Sequence, residues 1–165
     1  MITLRKVNDT NVREITALEV REDQQDFVTS ARDSVPECRE INAAGAWAEM
    51  HGIYDDETPV GFVMFTYETT PRPDSPPVAA GNYDVSHFYI DKRYQGRGYG
   101  RAGLRLSIDY LRTFPAGKAD CIWIAWHPDN HVAEHLYASV GFVRTDMRNY
   151  HEIVSVMPLG RETEG

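Results

Sequence analysis

The stretch Tyr83 to Arg101, Tyr-Asp-Val-Ser-His-Phe-Tyr-Ile-Asp-Lys-Arg-Tyr-Gln-Gly-Arg-Gly-Tyr-Gly-Arg, constrains this chain more than any other. Its first half is rich in aromatic and β-branched residues, its middle is polar, and its end alternates glycines that lead into an apolar-periodic segment. That order predicts a strand, an anion-binding turn and a helix. Gly96, Gly98 and Gly100 remove the side chains that would keep a ligand from the main chain. The first turn of the following helix aims its unpaired N–H groups at the same place, which suits a phosphate.

The remaining chain reads as alternating short strands and helices. Ile2 to Val7 is a first strand, and Asp9 or Thr10 caps a helix starting near Asn11, with Val12, Ile15 and Leu18 on one face. An acidic stretch, Glu19 to Asp26, precedes a second helix over Val35 to Asn42 with Pro36 in its first turn. Trp47 to Tyr54 and Val60 to Tyr67 are strands joined by the polar turn Asp55 to Pro59. The second of them is apolar on both faces and should be central. Thr69 to Gly81, with prolines at 71, 73, 76 and 77, is an exposed loop. Gly98 to Phe114 is the main helix, with Tyr99, Ala102, Gly103, Leu106, Tyr110 and Phe114 expected to pack on the sheet. Cys121 to Trp126 is a fifth strand. His131 to Val140 is a helix with Val132, Ala133, Leu136, Tyr137 and Val140 inward. Strands starting at Phe142 and spanning His151 to Met157 complete the chain.

With 165 residues, 42% hydrophobic and 25% charged, this is one domain able to bury a core without disulfides or metal. A net charge of −8 disfavours a nucleic-acid partner and mildly favours a cationic one, although it also serves solubility alone. Cys38 and Cys121 lack metal-ligand spacing and read as reduced thiols. No segment approaches membrane-spanning length and the N-terminus lacks a signal-peptide core, so a cytoplasmic location without membrane contact is expected.

Two motifs carry a family resemblance. Gln95-x-x-Gly98-x-Gly100 resembles the Gln/Arg-x-x-Gly-x-Gly/Ala signature of the GNAT superfamily of N-acetyltransferases. Asn130-x-x-Ala133-x-x-Leu136-Tyr137-x-x-x-Gly141-Phe142 is similar to that superfamily's second conserved region. Together they cover Tyr83 to Phe142. The resemblance implies one acetyl-CoA-dependent domain over residues 1–160, with a short tail at 161–165. It implies a mixed α/β fold, a mostly antiparallel sheet of six or seven strands in sequence order flanked by about four helices.

In such a domain the fourth strand bulges and splays from the fifth, and the pantetheine arm lies between them. The resemblance then implies that Phe88 and Ile90 contact the coenzyme, with the Ile90 N–H polarising the thioester carbonyl. Gln95, Gly96, Arg97, Gly98, Tyr99, Gly100 and Arg101 would wrap the pyrophosphate, although a solvated helix start is an alternative for the two arginines. Asn130 would touch the pantetheine arm, or simply cap its helix. Tyr137 would be the general acid for the leaving thiolate, or a core side chain.

The proton acceptor is left open between His87, Asp84 and a carboxylate of the acidic stretch. Glu22, Asp23, Gln25, Phe27, Val28 and Ser34, with Ile90 to Gly96, are similar to the bacterial spermine/spermidine acetyltransferase branch, Lys92 replacing a commoner proline. Glu22, Asp23 and Asp84 are therefore expected to hold a small amine such as a polyamine, attacked directly in a ternary complex. A basic antibiotic, a lysine side chain or a protein N-terminus is also compatible. A homodimer is expected by analogy alone, and no metal is expected.

Three other readings compete. Gly98-x-Gly100-x-x-Gly103 with Asp120 satisfies a dinucleotide fingerprint, but Asp91 to Gln95 separates it from the strand and too little chain follows. His131-Val-Ala-Glu134-His135 matches an inverzincin pattern, whose third ligand would have to be Glu152, Glu162 or Glu164. The third is a non-catalytic sensor of acetyl-CoA.

Overall fold

The structure, a computed structural model, describes residues 1–160; the expected tail at 161–165, with Glu162 and Glu164, lies outside them. Seven strands form one sheet: β1 (Ile2–Lys6), β2 (Trp47–Asp55), β3 (Thr58–Tyr67), β4 (Tyr83–Ile90), β5 (Cys121–Trp126), β6 (Val143–Asn149) and β7 (Glu152–Pro158). Four helices flank it: α1 (Val12–Thr16), α2 (Ala31–Ala43), α3 (Tyr99–Leu111) and α4 (His131–Val140). The fold is mixed α/β, as expected, and only β4 and β5 run parallel.

The strand order is β1-β2-β3-β4-β5-β7-β6, so the last two strands exchange the places expected of them. The side chains explain the exchange. β7 buries Ile153, Val154, Ser155 and Met157 on both faces and needs neighbours on both sides. β6 carries Arg144, Asp146 and Arg148 exposed, which blunts an edge.

β3 is central in burial as well as in order. Val63 and Phe65 join the core under α3 and α4, whereas Phe62 and Met64 join the core under α1 and α2. Gly61 has no room for a side chain, because a Cβ there would sit 2.6 Å from the Tyr89 carbonyl on β4.

Several local expectations are corrected. Neither Asp9 nor Thr10 caps the first helix: the cap position is Asn11, and the Asn8 side-chain oxygen closes the turn before it by accepting from the N–H groups of Thr10 (2.8 Å) and Asn11 (3.3 Å). Helix α2 starts four residues earlier than expected because Ser30 accepts from the Asp33 N–H at 3.1 Å, leaving Pro36 in the second turn. The hairpin turn is tighter than read, two residues with Asp56 at φ 51°. Helix α3 buries Gly103, Leu104, Ser107, Ile108 and Leu111, a face rotated from the expected one, and Arg101, Arg105, Asp109 and Arg112 are solvated. On α4, Ala133 and Tyr137 are buried and Val132 is 67% exposed rather than inward.

One irregularity in β4 matters most for function. Register with β3 slips between Met64↔His87 and Phe65↔Val85, leaving Ser86 as an extra residue. The bulge inverts the facing pattern: Tyr83 and Val85 before it share the α3/α4 core with Phe88 and Ile90 after it. His87 and Tyr89 are thereby turned toward α2 and the opposite layer.

Candidate active site

β4 and β5 pair only at Tyr83↔Ile122 and Asp84↔Trp123; beyond these the two parallel strands are unpaired. The opening is part of a continuous cleft of about 1170 Å³, lined by both strands, the glycine turn, α4 and the segment between α1 and α2. On its β4 wall, the Asp91 N–H donates to the Val60 carbonyl on β3 (2.8 Å), whereas the Ile90 carbonyl accepts from Gln95 Nε2 (2.9 Å). Main-chain groups alternate in direction along a strand, so the N–H groups of Ile90 and Phe88 face the gap.

At one end lies the turn from Gly96 to Arg101. Gly96 (φ 77°) and Gly98 (φ 84°) adopt the left-handed conformation, and a Cβ on either would meet nothing within 4 Å. The space over this backbone is open, and the first-turn N–H groups of α3 adjoin it. Gly100 is tighter, with Leu136 Cδ2 3.2 Å from the position of a Cβ. Arg97 and Arg101 are exposed and make no ion pair among the described residues, and Arg101 lines the cleft.

Two side chains of this turn are already engaged. Gln95 gives both Nε2 hydrogens to protein, one to Ile90 and one to Gln24 Oε1 (2.8 Å). The Tyr99 hydroxyl donates to Asp55 Oδ2 at 2.6 Å. Neither side chain has a hydrogen left to give a phosphate, so donation to an anion from these two residues falls to the main chain.

In the middle of the cleft, Tyr137 is 8% exposed, packs edge-on against Phe142 and gives its hydroxyl to no protein group among the described residues. Burial pushes its ionisation well above that of a free phenol. Helix α4 is fixed at both ends, by Asn130 Oδ1 accepting from the Ala133 N–H (3.2 Å) and by Gly141 at φ 113°. Asn130 is thus a cap that also lines the cleft, and its amide nitrogen has no protein acceptor among the described residues.

The other end is acidic. Asp26, Glu37, Glu40, Glu68, Asp84 and Glu152 line the cleft against Arg21, Arg72 and Arg101, and Arg21 and Arg72 are paired with Asp23 and Asp74. Glu22 and Asp23, expected to hold substrate, are exposed on a 3₁₀ turn, Glu22–Phe27, and do not line the cleft. That turn presents Gln24, Asp26 and Phe27 instead.

Asp84 does line the cleft, its Oδ2 accepting from Ser86 (2.8 Å) and Thr66 (3.4 Å) hydroxyls. Burial raises its carboxyl to about 7, opposed by Ser86, His87 and Thr66. Glu152 is shifted in the same direction, also by burial. Native Asp84 therefore keeps its proton to about pH 7 while the unfolded chain releases it near pH 4. Stability falls as pH rises through that window. Asp84→Asn is expected to raise the melting temperature by a few degrees at pH 8 and to leave it unchanged at pH 4. Equal shifts at both pH values in calorimetry would contradict the assignment.

His87 donates or accepts through Nε2 with Glu37 Oε2 at 2.8 Å. Sequence reading singled out His87 and placed Phe27 in the pattern of the polyamine branch, but passed over Glu37, His127, His151 and Trp123, which also line the cleft. Phe27 lies against His127 (ring centroids 5.0 Å), and His127 against His151 (5.4 Å). These meetings join residues distant in sequence, and no local spacing announces them. The inverzincin residues His131 and His135 are exposed on α4, and no cluster of His, Cys, Asp or Glu among the described residues is arranged to hold a metal.

The sequence profile of the acetyltransferase (GNAT) family matches residues 13–142. The chain belongs to that family. It is accordingly an acetyl-CoA-dependent N-acetyltransferase. The spermine/spermidine N(1)-acetyltransferase of Bacillus subtilis is 28% identical over 141 residues, covering 86% of this chain and 87% of the relative. Among solved structures, aminoglycoside acetyltransferase AAC(6')-Ib in complex with coenzyme A and kanamycin superposes with a TM-score of 0.74 at 13% identity, over 96% of this chain and 95% of that one. The Vibrio cholerae spermidine N-acetyltransferase in complex with CoA and spermine gives a TM-score of 0.63 at 18% identity, over 95% and 94%. At these identities the structural likenesses establish the fold. No described helix of the GNAT chain is long and apolar enough to cross a membrane.

Proposed function

We propose that this enzyme acetylates a primary amine of a small polycation, of the polyamine class, by direct attack within a ternary complex in the cytosol. The observation that carries the proposal is the polarity of the cleft. It has open, left-handed glycine backbone and, among the described residues, an arginine without an ion pair at one end, and acidic side chains from five separate segments at the other. The 28% identity to the spermine/spermidine acetyltransferase supports the same acceptor class.

Bound acetyl-CoA supplies the activated acetyl group. The N–H groups of the turn from Gly96 to Arg101 hold the diphosphate, with Arg97 and Arg101 adding charge and the free amide of Asn130 meeting the pantetheine. The N–H of Ile90 polarises the thioester carbonyl, a fixed dipole that needs no reorganisation during reaction, and Phe88 forms the apolar wall beside it. The Tyr137 hydroxyl keeps its proton until a buried thiolate, made more basic by desolvation, takes it. His87 removes the proton that the amine carries in water, and Asp84 and Glu152, shifted toward the neutral form by burial, ionise as a bound cation draws off their protons and so offer opposite charge to the remaining ammonium groups.

A panel of spermine, spermidine, aminoglycosides and lysine peptides, followed by release of free thiol, tests the proposal. Spermine and spermidine are expected to show the highest kcat/KM. Preference for a peptide or an aminoglycoside would replace the acceptor and keep the chemistry, and coenzyme binding with no thiol release above hydrolysis would mark a sensor.

A further inference from the structure

The bulge at Ser86 has a chemical outcome. It turns His87 away from the α3/α4 core, where strict alternation from Tyr83 and Val85 would bury it, and brings its ring to the side chain of Glu37, fifty residues earlier on α2. The His87 side chain is 16% exposed and both residues line the cleft. Glu37 is held there by the helix, whose Ala31 and Ser34 are buried and whose Val35, Cys38 and Ile41 pack on the core beneath. Its carboxyl is pushed below the ordinary glutamate range by the hydrogen bond to His87, so it is an ionised, acceptor-only group.

An ionised carboxylate can only accept, so the Nε2 facing Glu37 must carry the hydrogen. The neutral ring then has its lone pair on Nδ1, and Nδ1 makes no hydrogen bond to protein among the described residues. We propose that Glu37 is a positioning residue: it fixes His87 in the Nε2–H form, aims Nδ1 as the proton acceptor for the incoming ammonium, and stabilises the imidazolium that results. The step balances as one proton moving from R–NH₃⁺ to Nδ1, leaving a neutral amine with a free electron pair and a His87 cation hydrogen-bonded to the Glu37 anion. This rests on the acetyl-transfer reading and adds to it the residue that makes the base competent.

Other charged groups face the same space and bear on pH dependence: Glu40 on α2, Asp84 on the strand of His87 itself, Glu152 on β7, and His127 and His151 across the cleft. The test must therefore separate Glu37 from them. Glu37→Gln preserves size and removes the charge, and its amide can satisfy either tautomer. It is expected to lower kcat about 10- to 100-fold with acetyl-CoA affinity unchanged, and Glu37→Asp should recover part of the loss. His87→Ala should lose as much, and the double variant no more than the worse single one, because the carboxylate acts only through the ring.

A second readout does not depend on turnover. In ¹⁵N-histidine NMR, the His87 signals, identified by their absence in His87→Ala, should show Nε2 protonated and Nδ1 bare in the wild type, and a tautomer mixture in Glu37→Gln. Unchanged tautomers with kcat within twofold of wild type would overturn the proposal. So would additive losses in the double variant, which would mean that Glu37 holds substrate directly, or loss of turnover in Asp84→Asn alone, which would make Asp84 the acceptor. If the wild type acetylates no amine in the panel, the acetyl-transfer reading falls, and this inference with it.

Discussion

Gly98→Val is expected to weaken acetyl-CoA binding by at least about 100-fold, close to 2.7 kcal/mol, with the folded structure retained. Two effects add at this position. The residue sits at φ 84°, where a β-branched side chain is strained, and the open space above it is where the diphosphate is proposed to lie. Valine both tilts the main-chain N–H groups and fills the space. Gly45 supplies the control, because it too has positive φ (92°) and an open Cβ position, and it lies just beyond α2, outside the cleft lining. Gly45→Val should reproduce the strain, visible as a small loss of melting temperature, and leave coenzyme affinity alone. Equal affinity of the Gly98 and Gly45 variants in calorimetry would show that the glycine turn does not hold the coenzyme.

The second large effect is expected of Tyr137→Phe, a fall in turnover of about 100-fold or more with the coenzyme dissociation constant within about twofold of wild type. The hydroxyl has no protein partner among the described residues, so its removal breaks no bond of the folded state. The variant should be as stable as the wild type or slightly more so. A tyrosine that merely packed would show the same stability and undiminished turnover. The loss should also be concentrated in a step after acylation of the amine begins, with thiols of lower pKa as leaving groups restoring part of the rate, since they need the proton less.

Much of this was legible in the residues themselves. The glycine turn, the Asn130 cap, Gly141 and the placement of Tyr137 follow from local rules, because positive φ, a missing Cβ and a helix cap are properties of a few consecutive residues. Ser30 could also have been read as the cap of α2, with Asp33 three residues on; Pro36 drew the expected start too far along instead. The exchange of β6 and β7 had a signal as well, in the unbroken apolar run Ile153-Val154 set against the charged alternation of Arg144, Asp146 and Arg148.

The acidic end of the cleft, where the acceptor is proposed to bind, was not legible. Glu22 and Asp23 look like the acidic face of a binding loop, yet a 3₁₀ turn sends them to solvent and points Gln24 and Phe27 inward, where they meet Gln95 and His127. What the sequence alone determined is the glycine-turn half of the cleft, the half proposed to grip through main chain, since backbone geometry is set by residue type over short spans. Only the tertiary structure decided which carboxylates face the cleft and that Glu37 meets His87. Those pairings depend on one unpaired residue at Ser86 and on how α2 lies across the sheet, and such contacts are fixed by packing between segments tens of residues apart.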